Sequence, residues 1–118
     1  MPWTVLYHDA FVPELGELPL AVQDELFTTV SALTVLGPRL GRPQADTLVG
    51  SRFANMKELR FRADHGVWRV AFAFDPERRA ILLVAGDKSG VAQARFYKRL
   101  IAKADNRFAD YLKTLEND

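Results

Sequence analysis

The sequence contains no cysteine and only two histidines, His8 and His65. Without thiols the chain has no disulfide, no thiolate metal site and no cysteine nucleophile, and two histidines are too few for a histidine-rich metal site. No apolar run approaches the roughly 18 residues of a membrane-spanning helix, and no charged and then apolar signal segment opens the chain. We therefore expect a cytosolic protein with no membrane segment, no cofactor and no structural metal.

Lysine and arginine are also absent from residues 1–38, which carry five acidic residues. Residues 39–107, in contrast, hold fifteen of the sixteen basic residues against seven acidic ones, a net charge of +8. The formal net charge of the whole chain, +1, hides this division. A basic segment of this kind favours an anionic partner, most commonly nucleic acid. Solvated charge without a partner is the alternative.

The chain length of 118 residues and the ordinary shares of apolar (48%) and charged (26%) residues predict a single domain, 1–118. Aromatic and β-branched residues at 3–7 predict a short first strand. Residues 9–18 are expected to form a loop or at most one helical turn. Helical spacing of apolar residues predicts a long helix over 19–36, and an extended connector is expected over 38–54.

Three strand-like segments follow near 56–62, 67–75 and 80–87. The four-residue loops between them predict a three-stranded antiparallel meander. After Gly90, apolar residues at helical spacing predict a long C-terminal helix that ends near Leu115. The order of strand, long helix, three strands and helix indicates an α+β fold.

The central predicted strand, 67–75, alternates between two kinds of side chain. One side is expected to face the core against the N-terminal helix, and it carries four large apolar residues: Trp68, Val70, Phe72 and Phe74. The other side carries one arginine among smaller residues: Val67, Arg69, Ala71 and Ala73. We expect this second side to be an open, shallow floor with a single long cation standing in it.

The loop before this strand fixes its register with the preceding strand, so that 62 lies opposite 67 and 60 opposite 69. Arg60 and Arg69 are therefore predicted to be direct cross-strand neighbours. Like charges in that position destabilise a sheet, unless Glu58 on the same face neutralises one of them. An ordinary salt bridge between Arg60 and Glu58 is the alternative to a functional role.

The next loop places Gly86 beside Arg69, and Lys88 in the following row with Arg62. The three arginines and Lys88 then converge over a glycine, which allows close approach of a ligand. Paired guanidiniums suit phosphate, because each binds two oxygens and keeps its charge at neutral pH. The predicted floor is thus a candidate site for a polynucleotide backbone.

The last predicted helix begins with a run that interleaves basic and aromatic residues, Arg95-Phe-Tyr-Lys-Arg99. This pattern favours stacking on bases combined with phosphate contacts, although a solvated helix face has the same pattern. For Tyr97, a place beside the basic floor and a place at the edge of the core both remain open. Candidate RNA-binding residues are Arg62, Arg95, Lys98 and Arg99.

Three other signals carry no function. The segment Gly86-Asp-Lys-Ser89 lacks the upstream glycine of a P-loop. His65 is expected in a solvated hairpin turn. His8 closes the first strand without an identifiable acid or hydroxyl partner, so catalysis is assigned to neither histidine.

Six segments, taken together, resemble the HigB-like, phage-derived branch of the RelE/ParE toxin superfamily, from Trp3 to about Leu112. They are Leu40-Gly-Arg-Pro43, Asp46-Thr-Leu-Val-Gly-Ser51, Asn55-Met-Lys-Glu-Leu-Arg-Phe61, Trp68-Arg-Val-Ala-Phe72, Leu82-Leu-Val-Ala-Gly-Asp-Lys88 and Phe96-Tyr-Lys-Arg-Leu100. The resemblance implies a RelE-like fold with helices packed on one side of a curved sheet. It also implies the toxin of a type II toxin–antitoxin module, neutralised by a HigA-like helix-turn-helix antitoxin.

The activity that the resemblance implies is cleavage of messenger RNA in the ribosomal decoding site. A ribose 2′-hydroxyl attacks the adjacent phosphate and leaves a cyclic phosphate and a 5′-hydroxyl. Residue types that match the catalytic sets of the superfamily are Lys57, Glu58, Arg60, Arg69, Lys88 and Tyr97.

Within this hypothesis, each matching residue type has a candidate role. Arg60 and Arg69 stabilise transition-state charge, and Lys88 binds the substrate phosphate. Tyr97 stacks on a base or protonates the leaving oxygen. The base is Glu58 or Lys57.

Two other functions share the expected fold: poisoning of DNA gyrase, as by ParE, and non-catalytic binding by a prophage protein. The antitoxin is expected to cover either the basic groove or the exposed apolar part of a helix. In the first case its acidic segments would match the basic stretch of this chain.

Overall fold

The computed structural model describes residues 2–116, in which five strands and three α-helices occur. The strands are β1 (Thr4–Tyr7), β2 (Ala45–Thr47), β3 (Met56–Ala63), β4 (Gly66–Phe74) and β5 (Arg79–Asp87). The helices are α1 (Phe11–Glu17), α2 (Leu20–Leu36) and α3 (Gln93–Glu116), with a 3₁₀ turn at Gly37–Arg39 after α2. The predicted α+β class is confirmed. Within the described residues, no helix is both long and apolar enough to span a membrane.

The strands form one sheet in the order β1-β5-β4-β3-β2. The predicted antiparallel meander is its centre, with β1 parallel to β5 at one edge and the short β2 antiparallel to β3 at the other. The strand β2 lies inside the segment that was expected to be an extended connector. Its three residues have no sequence period of their own, and pairing with β3 is what makes them a strand.

The register predicted around the two arginines is confirmed: Arg60 pairs with Arg69, and Arg69 with Gly86. The β3–β4 loop is shorter than expected, because only Asp64 and His65 lie between the strands, both with positive φ, as the tightest hairpin turns require. After the second turn, Phe74 pairs one residue earlier on β5 than predicted. A register shift between Ala71 and Phe72 restores the predicted pairing before Arg69 is reached.

Helices lie on both faces of the sheet, so the expectation of helices on one side is wrong. Helix α2 covers the face that carries Val70 and Phe72, as predicted, and α1 packs on the same face. Helix α3 covers the other face, where Ala71 and Ala73 are fully buried. The expected open floor is therefore closed at this end, because the small alanines let the helix approach the sheet and bury its apolar stripe: Phe96, Leu100, Ala104 and Phe108.

Residues 9–18 were expected to hold at most one helical turn, but they contain the seven-residue helix α1. Pro13 is compatible with it, because the first helical N–H groups have no partner within the helix. Phe11 is fully buried and anchors the helix to the core. Both guanidinium amino groups of Arg107 donate to Glu14, which ties α1 to α3.

Candidate active site

The part of the second face that α3 leaves uncovered contains a cavity of about 630 Å³ between α3 and the β2–β3 edge of the sheet. Its lining residues are Asp46, Thr47, Leu48, Val49, Glu58, Arg60, Gln93, Ala94 and Tyr97. Two of the predicted site residues on β3 and one on α3 therefore share this cavity. Phe96 is buried against the sheet and fixes the rotation of α3 about its axis. The next residue, Tyr97, therefore lies at the cavity.

Tyr97 joins Glu58 and Arg69 in a hydrogen-bonded cluster. Its hydroxyl donates to Glu58 Oε1 at 2.8 Å and accepts from Arg69 Nε at 3.2 Å. Arg69 Nε lies 3.6 Å from the same carboxylate oxygen, and Arg69 Nη1 donates to the carbonyl of Trp68. Glu58 and Arg69 are each only 6% exposed. A nearly buried ion pair is thus held in one geometry by a tyrosine at the edge of the cavity.

The environment shifts the pKa values of Glu58 and Tyr97 in the same direction. Burial raises the pKa of Glu58, and this effect outweighs the hydrogen bond from Tyr97 and the charge of Arg69, which both lower it. Burial also raises the pKa of Tyr97. Near neutral pH, Glu58 is therefore a stronger base than an ordinary glutamate, while Tyr97 keeps its proton.

Arg60 stands between this cavity and a second one. The second cavity, of about 340 Å³, is lined by Pro43, Arg60, Phe61, Arg62, Val67 and Arg69. Arg60 Nη1 lies 3.8 Å from Asp46 Oδ2, and Asp46 also accepts a hydrogen bond from Arg42 Nε at 3.0 Å. Arg60 and Arg69 therefore share a cavity as predicted, but each faces an acid of its own. The alternative of a bridge between Arg60 and Glu58 is wrong, since the partner of Glu58 is Arg69.

Lys88 follows β5 and belongs to the same cationic cluster. Its backbone N–H donates to the carbonyl of Val67, so Lys88 lies beside Val67 as the predicted register requires. Partial burial lowers the pKa of Lys88, and the positive charges of Arg69 and Arg60 lower it further. The positive charge of Arg62, an exposed residue, also lowers the pKa of Lys88. The backbone thus places Lys88 in the predicted register beside Val67, which pairs with Arg62.

Gly86 was expected to admit a ligand, and the structure gives it another role. A β-carbon there would lie 2.9 Å from Cε1 of Phe96, well inside normal contact distance. The glycine therefore makes room for α3, and so indirectly sets the position of Tyr97.

Lys57 lies on the opposite face of the sheet from Glu58. It pairs with Phe72, whose face packs against α2. Because successive strand residues alternate between faces, Lys57 cannot act in the same cavity as Glu58. The sequence hypothesis of Lys57 as the base is wrong.

The three cations predicted on α3 lie outside this cavity. Arg95, Lys98 and Arg99 are exposed, and Arg99 lines a different, smaller cavity of about 250 Å³ beside Phe96 and Gly86. They form an outer basic surface on the helix that carries Tyr97.

Sequence reasoning missed two acidic contacts. Asp46 is placed against Arg60 by the short strand β2, which gave no periodic signal. His8 has an acidic neighbour after all, since its Nε2 lies 3.6 Å from Asp110 of α3, a residue about a hundred positions away along the chain. His65 lies in a turn, as expected.

Residues 13–109 match the profile of the family "Phage derived protein Gp49-like (DUF891)". The chain belongs to this family. It is 43% identical over 104 residues to "Putative toxin HigB2" of Mycobacterium tuberculosis, covering 87% of this chain and 51% of that protein. It is also 44% identical over 93 residues to "Putative toxin HigB3" of the same organism, covering 76% of this chain and 79% of that protein. The chain thus spans about half the length of HigB2.

The fold is also that of a known toxin structure. A double mutant of the E. coli toxin RelE in its free state superposes with a TM-score of 0.62, at 14% identity, over 87% of this chain and 97% of that one. At this identity the likeness concerns the fold alone. The two relatives identify the Gp49-like chain as HigB-like, as the sequence resemblance indicated, and its fold is RelE-like.

Proposed function

We propose that this HigB-like protein is the toxin of a toxin–antitoxin module and cleaves messenger RNA on the ribosome in the cytoplasm. The observation that carries the proposal is the cluster of Glu58, Tyr97 and Arg69 at the wall of an open cavity, beside a second arginine. A carboxylate of raised pKa next to guanidiniums suits cleavage through a ribose hydroxyl, because it combines a general base with stabilisation of the transition-state charge.

In the proposed reaction, Glu58 takes the proton of the ribose 2′-hydroxyl. The 2′ oxygen then attacks the adjacent phosphorus, and the bond from phosphorus to the 5′ oxygen breaks. Arg60 and Arg69 stabilise the additional negative charge on the phosphoryl oxygens in the transition state. The products are a 2′,3′-cyclic phosphate and a free 5′-hydroxyl.

The leaving 5′ oxygen needs a proton, and Lys88 is the better candidate to supply it. The proton of Tyr97 is engaged with Glu58, and its pKa is raised, which makes it a weaker acid. The pKa of Lys88 is lowered, which makes its ammonium a stronger acid than that of an ordinary lysine. We assign Tyr97 the task of holding Glu58 and Arg69 in position.

Dependence on the ribosome follows from the modest chemistry of these groups. The described residues bring no histidine into the cavity, so much of the rate must come from alignment of the RNA. Orientation of the reacting groups contributes up to about 7–11 kcal/mol in favourable cases. Contacts of Arg95, Lys98 and Arg99 with RNA phosphates would supply part of the docking energy.

The proposal is tested by mapping the 5′ ends of messenger RNA after brief induction of the toxin. We expect new 5′-hydroxyl ends inside translated reading frames, which do not appear when Glu58→Gln is induced to the same level. DNA damage without such ends would support gyrase poisoning instead. Unchanged growth and translation would support a non-catalytic binding protein. Efficient cleavage of free RNA by the purified protein would contradict ribosome dependence.

A further inference from the structure

Helix α2 has a line of apolar side chains on the side that faces away from the sheet. Leu20 is 75% exposed, Phe27 44% and Val35 68%. Together with Asp24 and Ser31 they follow one another at spacings of three and four residues, which is one side of an α-helix. We refer to these five positions, 20, 24, 27, 31 and 35, as the α2 ridge.

The opposite side of the same helix is already used by the core. Val22, Leu26 and Leu33 are fully buried. The helix is therefore apolar on two opposite sides, whereas the exposed residues of α3 are mainly polar or charged. Leu20, Phe27 and Val35 therefore lie on a side of α2 that the core does not cover. Exposed apolar surface of this kind marks an interaction site.

The charges around the ridge indicate what covers it. Asp24 and Glu25 are exposed on this helix, and residues 1–38 contain no basic residue. Pairing of two copies through the ridge would bring the acids of one copy near those of the other, which disfavours a symmetric dimer. A segment that complements the ridge has apolar residues at helical spacing, flanked by lysine or arginine.

We propose that the α2 ridge is the docking surface for the antitoxin, which binds it with a basic amphipathic helical segment. The proposal rests on the toxin–antitoxin part of the proposed function and not on RNA cleavage. It selects one of the two surfaces expected from the sequence, the apolar part of a helix. The ridge and the candidate active site lie on opposite faces of the sheet. An acidic antitoxin segment seated in the basic cleft is the competing arrangement.

The test uses the full toxin co-expressed with the product of each open reading frame that adjoins its gene. Rescue of growth and a co-purifying complex identify the antitoxin for the wild-type toxin. Phe27→Asp is then compared with wild type by affinity measurement. A central apolar anchor carries enough energy for a loss of about 30-fold or more. The variant is expected to keep its toxicity when expressed alone, but to escape rescue.

Two further variants complete the test. The double variant Leu20→Asp/Val35→Asp changes only highly exposed positions, so its loss of binding is not explained by unfolding; thermal melting checks this. Lys98→Glu is the matched control, because Lys98 is an exposed cation on the active-site side. Its affinity for the antitoxin is expected to change by less than about 3-fold, the effect of losing one exposed ion pair. Loss of binding by Lys98→Glu with retention by Phe27→Asp would place the antitoxin in the basic cleft and overturn the proposal.

The chemistry of the partner is tested separately with Asp24→Lys/Glu25→Lys. Association with a basic segment is expected to slow and to lose part of its dependence on salt concentration. Tighter binding by this variant would show that the partner segment is acidic, against the proposal. If no adjoining gene product binds the wild-type toxin, the toxin–antitoxin assignment itself fails, together with the docking proposal. Ridge variants that bind as well as wild type refute only the docking surface.

Discussion

Arg60 and Arg69 are directly paired across β3 and β4, yet each is neutralised by a different acid. Arg69 shares a hydrogen-bonded cluster with Glu58, and Arg60 lies near Asp46 on the edge strand β2. The repulsion that such a pair causes in a sheet is thereby reduced. The two arginines differ in accessibility: the side chain of Arg69 is 7% exposed and that of Arg60 is 32% exposed. Arg60 is consequently free to exchange its partner for a phosphate, while Arg69 is fixed.

Arg60→Ala is expected to lower the rate of ribosome-dependent cleavage by about 100-fold or more, the usual effect of removing one donor that stabilises transition-state charge. Single-turnover cleavage on programmed ribosomes measures it. Lys57→Ala is the matched control, because Lys57 is a cation of the same strand on the other face. If Lys57→Ala is as damaging as Arg60→Ala, the proposed geometry of the site is wrong.

Tyr97→Phe is expected to move the acid limb of the pH–rate profile to higher pH. The hydrogen bond from Tyr97 lowers the pKa of Glu58, so its removal raises that pKa further and Glu58 becomes protonated at a higher pH. Single-turnover rates between pH 5.5 and 8 measure the shift (roughly the range in which a raised carboxyl pKa is visible). If the cleavage rate falls by the same factor at every pH, Tyr97 contacts the RNA and does not position Glu58.

Glu58→Gln is expected to abolish cleavage and to remove one source of pH dependence from the stability of the fold. The folded-state pKa of Glu58 is raised above its unfolded value, so wild type loses stability as the pH rises from the unfolded pKa through the folded pKa, whereas the glutamine variant does not. Below the unfolded pKa both states hold the proton, and Glu58 contributes no pH dependence to the free energy of unfolding. Denaturant unfolding at pH 4 and pH 8 (about the extremes needed) measures this. A stability difference between wild type and Glu58→Gln that is the same at both pH values would contradict the raised pKa of Glu58.

Gly86→Ala is expected to reduce both stability and cleavage, because Gly86 makes room for the helix that carries Tyr97. The added methyl group would meet Phe96 at 2.9 Å, and relief of this contact displaces the helix that carries Tyr97. Overpacking of this kind costs about 1–3 kcal/mol. Thermal melting and single-turnover cleavage are measured together, and Gly16→Ala is the control, because nothing lies within 4 Å of a β-carbon there. Full activity of Gly86→Ala would show that close packing between Gly86 and Phe96 does not set the position of Tyr97.

The elements were predictable where the signal is local. Turn residues and strand alternation predict the meander and the pairing of Arg60 with Arg69, and the structure has both. The predicted register is nevertheless wrong by one residue at Phe74, next to the second turn. The irregularity between Ala71 and Phe72 shifts the register back by one residue, so the prediction holds again at Arg69. Helix α1 and strand β2 escaped prediction because they are short, and tertiary contacts stabilise them more than sequence period does.

The sequence alone determined which residues are neighbours on the central strands, because strand alternation and hairpin loops act over a few residues. Only the tertiary structure decided that α3 covers part of the expected floor and that the hydroxyl of Tyr97 donates to Glu58. Those outcomes depend on contacts between segments dozens of residues apart, and on the burial of charge that such contacts produce. Burial also sets the pKa of Glu58, and with it the chemistry proposed for the site.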